Sequence, residues 1–483
     1  MSWIDRTIAY FSPATAFKRE SWRKSYEGLR NYDAGEHDRL NAGWRAVNST
    51  AEQTDAMYRE TIRARSRDLE RNSDITESII GAFERNVVGT GFKLQAKIEN
   101  NEELNSKIEK LWKEWCKPRN CDVTFQQSFA SLCRMAIRRK KIDGGIIFVK
   151  RYTKGGVVPF TLQLREVDDL DTMQMSRNNK RISNGIEYNE YNRPIAYYFK
   201  HYDINSFYSG KSERIEANDV IFLWSKKRPS QIREMPETSV TIPRIKDVNS
   251  YMEAVGIKAR IEACMAVFIK KITPSGSGAM GRQNKSGEGF SYSDKLLSPG
   301  LISELNPGED ISVVQPSAQG SNAADFVRLQ QRLTGSGQGI SYETVARDMS
   351  QVNYSSARQG LLEDQKTYAI EQGYLIDHLL TEIYETFLIS AVLCGAIDIK
   401  DFWENKTYYM QHTWMPPGQK WIDPLKEVKA NEIALRSNQT TLAELAAING
   451  EDWRELIEQR AQEIEFMKLK GVDINDKKTE PSN

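Results

Sequence analysis

The stretch Val352-Asn353-Tyr354-Ser355-Ser356-Ala357-Arg358, continued by Gly360 and Leu361-Leu362-Glu363 and preceded by Ile340-Ser341-Tyr342-Glu343, organises the reading of the chain. Ser350-Gln351-Val352-Asn353-Tyr354-Ser355-Ser356 is polar and carries no charge until Arg358, which predicts a loop, and the pattern from Ser356 to Leu393 predicts a long helix. Upstream, Ala323 to Leu333 reads as another helix. Ser239 to Lys271 is helical apart from Pro243 and Gly256, with Ile245, Val248, Met252, Val255, Ile257, Ile261 and Met265 forming one apolar stripe. Between these helices lie a Gly- and Ser-rich loop, Pro274 to Gly289, and two short strand patterns, Gly300 to Leu305 and Ile311 to Val314, separated by the turn Asn306-Pro307-Gly308.

Toward the N-terminus, Asp55 to Arg71 predicts a charged helix, and a second runs from a cap at Asp74 to Val88, closed by Gly89-Thr90-Gly91. Asn100 and Asn101 can cap a helix to Cys116, stopped by Pro118. Thr124 to Gln127 has capping-box spacing for a helix that places Phe125, Phe129, Leu132, Cys133, Ala136 and Ile137 on one face. Strands follow at Ile146 to Tyr152, Phe160 to Val167, Gly185 to Tyr191, Ile195 to Lys200 and Val220 to Trp224. The fold class is therefore α+β, predominantly helical. The first 50 residues scatter Trp3, Tyr10, Phe11, Phe17, Trp22, Tyr26, Tyr32 and Trp44 among charges without a sustained period, as in an arm that packs on something else. Beyond a Pro-rich stretch, Trp414 to Pro424, two terminal helices are expected, the second starting near Trp453, and Thr441 to Glu444 has capping-box spacing.

At 483 residues more than one structural region is expected. With 28% charged residues the surface is that of an extended, well-solvated subunit, and 67 Lys+Arg against 66 Asp+Glu leave no net field for tight nucleic-acid binding. The longest apolar run, Ala263 to Ile269, is far short of the ~20 residues that span a bilayer. Met1 to Tyr10 lacks the apolar core of a secretory signal, so intracellular synthesis is expected. Five cysteines, Cys116, Cys121, Cys133, Cys264 and Cys394, form no C-x-x-C pair and read as buried thiols.

No catalytic motif is complete. Gly276 to Gly281 has phosphate-loop spacing, but Arg282 and Gln283 stand where Lys and Ser/Thr are required. Gly335, Gly337 and Gly339 have the wrong spacing for a dinucleotide fingerprint and suit a helix-to-loop transition. Glu166, Asp168, Asp169 and Asp171 could hold Mg²⁺ in a nucleic-acid enzyme, or form the solvated edge of a strand. The histidines His37, His201, His378 and His412 are dispersed. Arg138, Arg139, Lys140 and Lys141 complement a helix C-terminus, with DNA contact as the other reading. No catalytic residue, cofactor or metal ligand is therefore assigned.

Several segments in order along the chain are specific: Arg63-Ala64-Arg65-Ser66-Arg67-Asp68-Leu69-Glu70-Arg71-Asn72, Val87-Val88-Gly89-Thr90-Gly91-Phe92, Asp143-Gly144-Gly145, Gly185-Ile186-Glu187 through Arg193-Pro194-Ile195-Ala196-Tyr197, Arg228-Pro229, Ala259-Arg260-Ile261-Glu262-Ala263-Cys264, the opening block at 352–363, and Trp421-Ile422-Asp423-Pro424. Together they resemble the lambda-type family of bacteriophage portal proteins. The resemblance implies a portal fold with wing, stem, clip and crown, assembled as a twelve-membered homo-oligomeric ring around a channel for double-stranded DNA. On that plan residues 1–54 are an N-terminal arm, 55–238 the wing, 239–271 a stem helix, 272–321 the clip, 322–347 a second stem helix and 348–358 the tunnel loop. Residues 359–412 are a long wing or backbone helix, 413–475 crown-like C-terminal helices, and 476–483 a disordered tail.

Ser350, Gln351, Val352, Asn353, Tyr354, Ser355, Ser356 and Arg358 become the expected DNA-channel residues, touching the duplex by weak polar contacts that permit sliding. The resemblance further implies assembly in the host cytoplasm, residence at the portal vertex of the virion, and no membrane. Expected partners are the terminase large subunit, which supplies ATP hydrolysis, the major capsid and scaffold proteins, and head-completion or adaptor proteins. A metal-dependent nucleic-acid enzyme built on Glu166 to Asp171 and an assembly adaptor without a channel are the alternatives.

Overall fold

The computed structural model describes residues 3–28, 43, 46–174, 180–202, 208–264, 323–350, 353–418 and 424–470. Contacts divide the chain into two units, Met1–Thr54 and Asp55–Asn483. In the first, the expected irregular arm is instead helical: α1 (Trp3–Phe11) and α2 (Pro13–Gly28) meet at Ser12, and Pro13 opens the second helix at the position where a missing N–H costs nothing. Trp3, Tyr10, Phe11, Phe17 and Trp22 are all exposed within it.

The second unit takes up α3 (Ala51–Asn72) from Asp55 onward, then α4 (Asp74–Phe83), one π-helical turn (Glu84–Val88) and β1 (Lys93–Ala96). Ser73, not Asp74, caps α4, because Ser73 is the residue in the extended conformation and its Oγ accepts from Thr76 N. Next come α5 (Glu102–Trp115), capped by Asn101, and the short α6 (Pro118–Cys121). The expected capping box at Thr124 to Gln127 is a turn instead. The Asp122 carboxylate accepts from Thr124 N, Thr124 Oγ1, Gln126 N and Gln127 N, so those groups are committed before a helix can start. The helix α7 (Phe129–Asp143) begins after Ser128, and Phe125, with φ +59, lies outside it and is exposed. Phe129, Leu132, Cys133, Ala136 and Ile137 are buried along α7 as expected.

Strands β2 (Gly145–Arg151), β3 (Thr161–Arg165), β4 (Arg181–Ser183), β5 (Ile186–Tyr188), β6 (Pro194–Tyr202), β7 (Tyr208–Glu216) and β8 (Val220–Trp224) form two antiparallel sheets, ordered β3-β2-β8 and β4-β5-β6-β7. Gly144, at φ +91, ends α7 in the left-handed region, and a Cβ there would meet Met235 C at 2.4 Å, so only glycine allows β2 to start where it does.

Then follow α8 (Ile242–Cys264), α9 (Ala323–Gln338), α10 (Tyr342–Ala346) and α11 (Tyr354–Leu375), which continues through a π-helical turn (Ile376–Leu380) into α12 (Thr381–Leu393). The chain closes with α13 (Lys406–Tyr409), β9 (His412–Met415), α14 (Pro424–Arg436), α15 (Leu442–Ile448) and α16 (Trp453–Leu469). Among the described residues there are thus three C-terminal helices rather than two, and Thr441 and Glu444 form the expected capping box at α15. Trp414, placed in an irregular Pro-rich segment by the sequence, is in β9 opposite Leu94 of β1. The long helix read to Leu393 ends there, short of the 412 that bounds its region in the portal plan.

The core lies where α5, α7 and α12 meet. Trp112 has ring centroids of Trp115, Phe129, Phe387 and Trp414 within 4.9, 5.4, 5.0 and 5.5 Å. Trp115 Nε1 donates to Phe160 O at 2.8 Å, tying this cluster to the start of β3. Burial pushes the Cys121 thiol up to about 12 and raises Cys133 and Cys116 as well, as inert core thiols should be, whereas Cys394 is exposed, contrary to expectation.

Helices α8 and α9 form an antiparallel hairpin. Gln338 Nε2, at the end of α9, donates to Glu237 O and Thr241 Oγ1 just before α8, and a Cβ on Gly337 would sit 2.9 Å from Thr241 Cγ2. Further out, the Tyr251 and Phe326 rings pack at 4.7 Å between centroids, tilted by 54°. Of the expected stripe, Ile245 and Val248 are buried, while Met252 is 50% and Ile257 43% exposed, because the body ends there. The Ile261 side chain, Met265, the rest of the predicted helix to Lys271, the Gly/Ser loop, both short strands and the terminal tail lie outside the described residues.

The candidate channel segment and the charge network behind it

Asn353 caps α11, its side chain accepting from Ser356 N at 2.9 Å. The helix therefore starts two residues before Ser356, where the sequence reading placed it: Tyr354, Ser355, Ser356 and Arg358 belong to the first turns of α11. Ser350, Asn353, Ser355, Ser356 and Arg358 are exposed; Gln351 and Val352 lie outside the described residues. Before the segment, α9 does not run on to Ala346 as one helix. Gly339, at φ +72, breaks it, and Ser341 starts α10. The break is enforced by close packing, since a Cβ on Gly335 would lie 2.7 Å from Ile340 O. Arg347, left-handed at φ +55, ends α10, and Asp348 accepts from Tyr342 Oη and Ser350 N.

Asp364, the first buried residue of α11, was not singled out by sequence reasoning. Its carboxylate accepts from Ser341 N and Ser341 Oγ at 2.7 Å and from Thr344 Oγ1 at 2.6 Å, so one side chain fixes the start of α10 to α11. The spacing Ser341-x-x-Thr344 is a cap signal, but its partner 23 residues on has no local signature.

The basic run at the end of α7 is neither a DNA-facing patch nor only a complement to the helix dipole. Arg138 bonds Glu70 and Glu77, and Arg139 bonds Glu70 and Asp143. Lys140 Nζ lies 2.7 Å from Glu237 and 2.8 Å from Glu371, and Lys141 Nζ lies 2.6 Å from Glu237 and 2.8 Å from Glu371. Burial alone would raise Glu237, yet the two ammonium groups override it and hold its carboxyl well below the ordinary range. The same two carboxylates keep Lys140 above its usual value against its own burial. Lys141 also stands 4.0 Å from the Phe83 ring centroid and Lys140 4.8 Å from that of Tyr374.

The acidic group is consumed in the same way. Arg67 bonds Asp143, Glu166 and Asp168, and Arg63 bonds Asp168 and Glu234. Asp171 accepts from Ser212 Oγ and Gln174 Nε2. Burial raises Asp169, against the pull of Arg165. Glu166 and Asp168 thus face guanidinium groups, and among the described residues no group of three His, Cys, Asp or Glu could hold a metal. His378 packs on Tyr374 and His412 on Tyr384. Among the described residues no helix is long and apolar enough to cross a membrane.

The geometry is thus an electrostatically tied body carrying a helical hairpin and an exposed polar helix start. The family described as phage portal protein, lambda family, matches residues 37–372, and the chain belongs to that family. It is 24% identical over 469 residues to a probable portal protein of Halomonas phage phiHAP-1, covering 93% of this chain and 89% of that protein. It is 19% identical over 470 residues to portal protein B of Escherichia phage lambda, covering 89% and 88%. Among solved structures it is similar to a chain from the virion of a native gene transfer agent particle, with a TM-score of 0.39 at 12% identity, covering 85% of this chain and 97% of that one.

Proposed function

We propose that the chain is one subunit of a ring at the portal vertex of a phage capsid, through which double-stranded DNA passes during packaging and ejection. Membership of the family carries this reading. In it, the body built on α3 to β8 is the wing, the α8/α9 hairpin the stem, residues 272–321 the clip, and the segment from Asp348 to Arg358 the tunnel lining. The hairpin supports the stem assignment: its legs leave the body together and expose Met252, Ile257, Leu329 and Leu333, apolar surface that a two-helix hairpin cannot bury alone and a neighbouring copy could.

The exposed segment offers Ser350, Asn353, Ser355 and Ser356 with one cation, Arg358, so contact with a passing duplex stays weak. Chemistry is assigned to a separate terminase docking on the clip, and the capsid, scaffold and head-completion proteins are the remaining partners. The ring is heterologous, one face of each subunit meeting a different face of the next.

Electron microscopy of the purified protein with light-scattering mass on the same sample tests this. A ring with an axial hole and a mass near twelve times 55.3 kDa is expected; a compact dimer without a channel overturns it. Replacing Ser350, Gln351 and Val352 with a Gly-Ser tract, keeping the Asn353 cap, should leave the ring intact and impair DNA packaging or retention. Unchanged packaging removes the tunnel role from the segment.

A further inference from the structure

One face of α11 carries Asp364, Thr367, Tyr368, Glu371, Gln372 and Leu375, spaced three and four residues apart. Its polar members reach different parts of the molecule. Asp364 holds Ser341 and Thr344, just beyond the end of α9. One turn on, Thr367 Oγ1 donates to Gly339 O at 2.7 Å, at the break that ends α9. Another turn on, Glu371 shares Lys140 and Lys141 with Glu237, the residue that leads into α8. Beside it, Gln372 Nε2 donates to Asn86 O at 3.1 Å and Val87 O at 3.3 Å in the π-helical turn. Both legs of the α8/α9 hairpin and the body are thereby fastened to three successive turns of one helix.

N-terminal to Asp364 no described residue of α11 is buried. Ala357, Gly360, Leu361 and Leu362 are only half-buried, with Leu361 beside Arg85 and Pro417, so the start of the helix is held lightly and Asn353, Ser355, Ser356 and Arg358 stand exposed at its tip. We propose that Asp364, Thr367 and Glu371 are positioning residues for the Asn353–Arg358 segment, making α11 a lever whose fulcrum is gripped by both legs of the hairpin. A tilt of the hairpin base turns the gripped face, and a continuous helix carries that rotation to its free end. The segment's pose is then set by the hairpin rather than by contacts of its own. The meaning of such coupling, that an event at the clip end of the stem reaches the channel lining, rests on the portal reading above; the lever itself does not.

Hydrogen exchange by mass spectrometry on the full chain tests it, comparing wild type with Asp364→Asn and Glu371→Gln. Exchange at 335–341 and at 353–363 is expected to rise together by tenfold or more, and by a larger factor than in β2, whose own rise reports the overall loss of stability. Should either variant fail to fold, Thr367→Val, which removes only the hydroxyl bonded to Gly339 O, is expected to give a smaller rise in the same two segments. Loosening of 335–341 with 353–363 unaffected overturns the lever. Because this exchange is read on the chain whether or not it forms rings, loss of the lever and loss of the portal reading are told apart: the first appears in exchange, the second in electron microscopy.

Discussion

The junction of α7 with α11 and the outer α8/α9 hairpin are both rich in charge and use it oppositely. At the junction, Lys140, Lys141, Glu237 and Glu371 are withdrawn from water, and each cation meets both carboxylates. On the hairpin, Lys246, Asp247, Glu253 and Arg260 face solvent. Buried charge is costly unless fully paired, so it fixes one geometry, whereas exposed charge fixes none and keeps a surface soluble. Rigidity in this molecule is thus bought at the junction, and the hairpin and the start of α11 are left to be ordered by something else.

The contrast can be broken most severely at its centre. Glu371→Gln leaves two buried ammonium groups to a single carboxylate and should lower stability by ~3–5 kcal/mol in urea unfolding; a loss below about 1 kcal/mol would show that water reaches the cluster. Asp364→Ala strands Ser341 N and two hydroxyls, and about 1–3 kcal/mol is expected in the same assay.

Acid sharpens the comparison. Glu237 is depressed in the fold, so its contribution is complete above the ordinary value of 4.5 and is lost as pH falls through the depressed one, toward about 2. Wild-type stability should therefore decline over that window, and Glu237→Gln, already destabilised, should decline less steeply. Thr441→Ala, which removes the α15 capping box at an exposed site, should cost about 1 kcal/mol locally by exchange at 442–448. Smallest of all, Met252→Ala and Leu329→Ala should change the stability of the isolated chain by no more than ~0.5 kcal/mol while weakening ring assembly in light scattering. Unchanged assembly would remove these side chains from any subunit interface.

Local signals in the sequence were reliable where the chain answers to its neighbours. Val220–Trp224, the Asn101 cap, the face of α7 from Phe129 to Ile137 and the Thr441–Glu444 capping box all depend on residues within a turn or two and are found as read, Phe125 alone falling off that face. Signals failed where a distant or competing partner intervened. Asp122 captured the groups that would have begun a helix at Thr124, and β9 was missed because Pro416-Pro417 directly after it conceal a strand whose partner among the described residues, β1, lies some 320 residues away. The opening segment was legible as polar and exposed, but its boundary moved because Asn353 caps α11 earlier than the apolar pattern begins.

By itself, the sequence determined the family, through several motifs read in order along the chain, together with the α+β class and most helices and strands, because periodicity and capping are encoded locally. Only the tertiary structure decided what the charges are for. Arg138 to Lys141 read from sequence as a complement to a helix C-terminus or a DNA contact, and Glu166 to Asp171 as a solvated strand edge or a metal site. They became internal ties because their counter-charges, Glu70, Glu77, Glu237 and Glu371 for the one and Arg63 and Arg67 for the other, arrive from elsewhere in the chain. A charge's role is set by what stands within about 4 Å of it and by how far water is excluded, and neither can be read along the backbone.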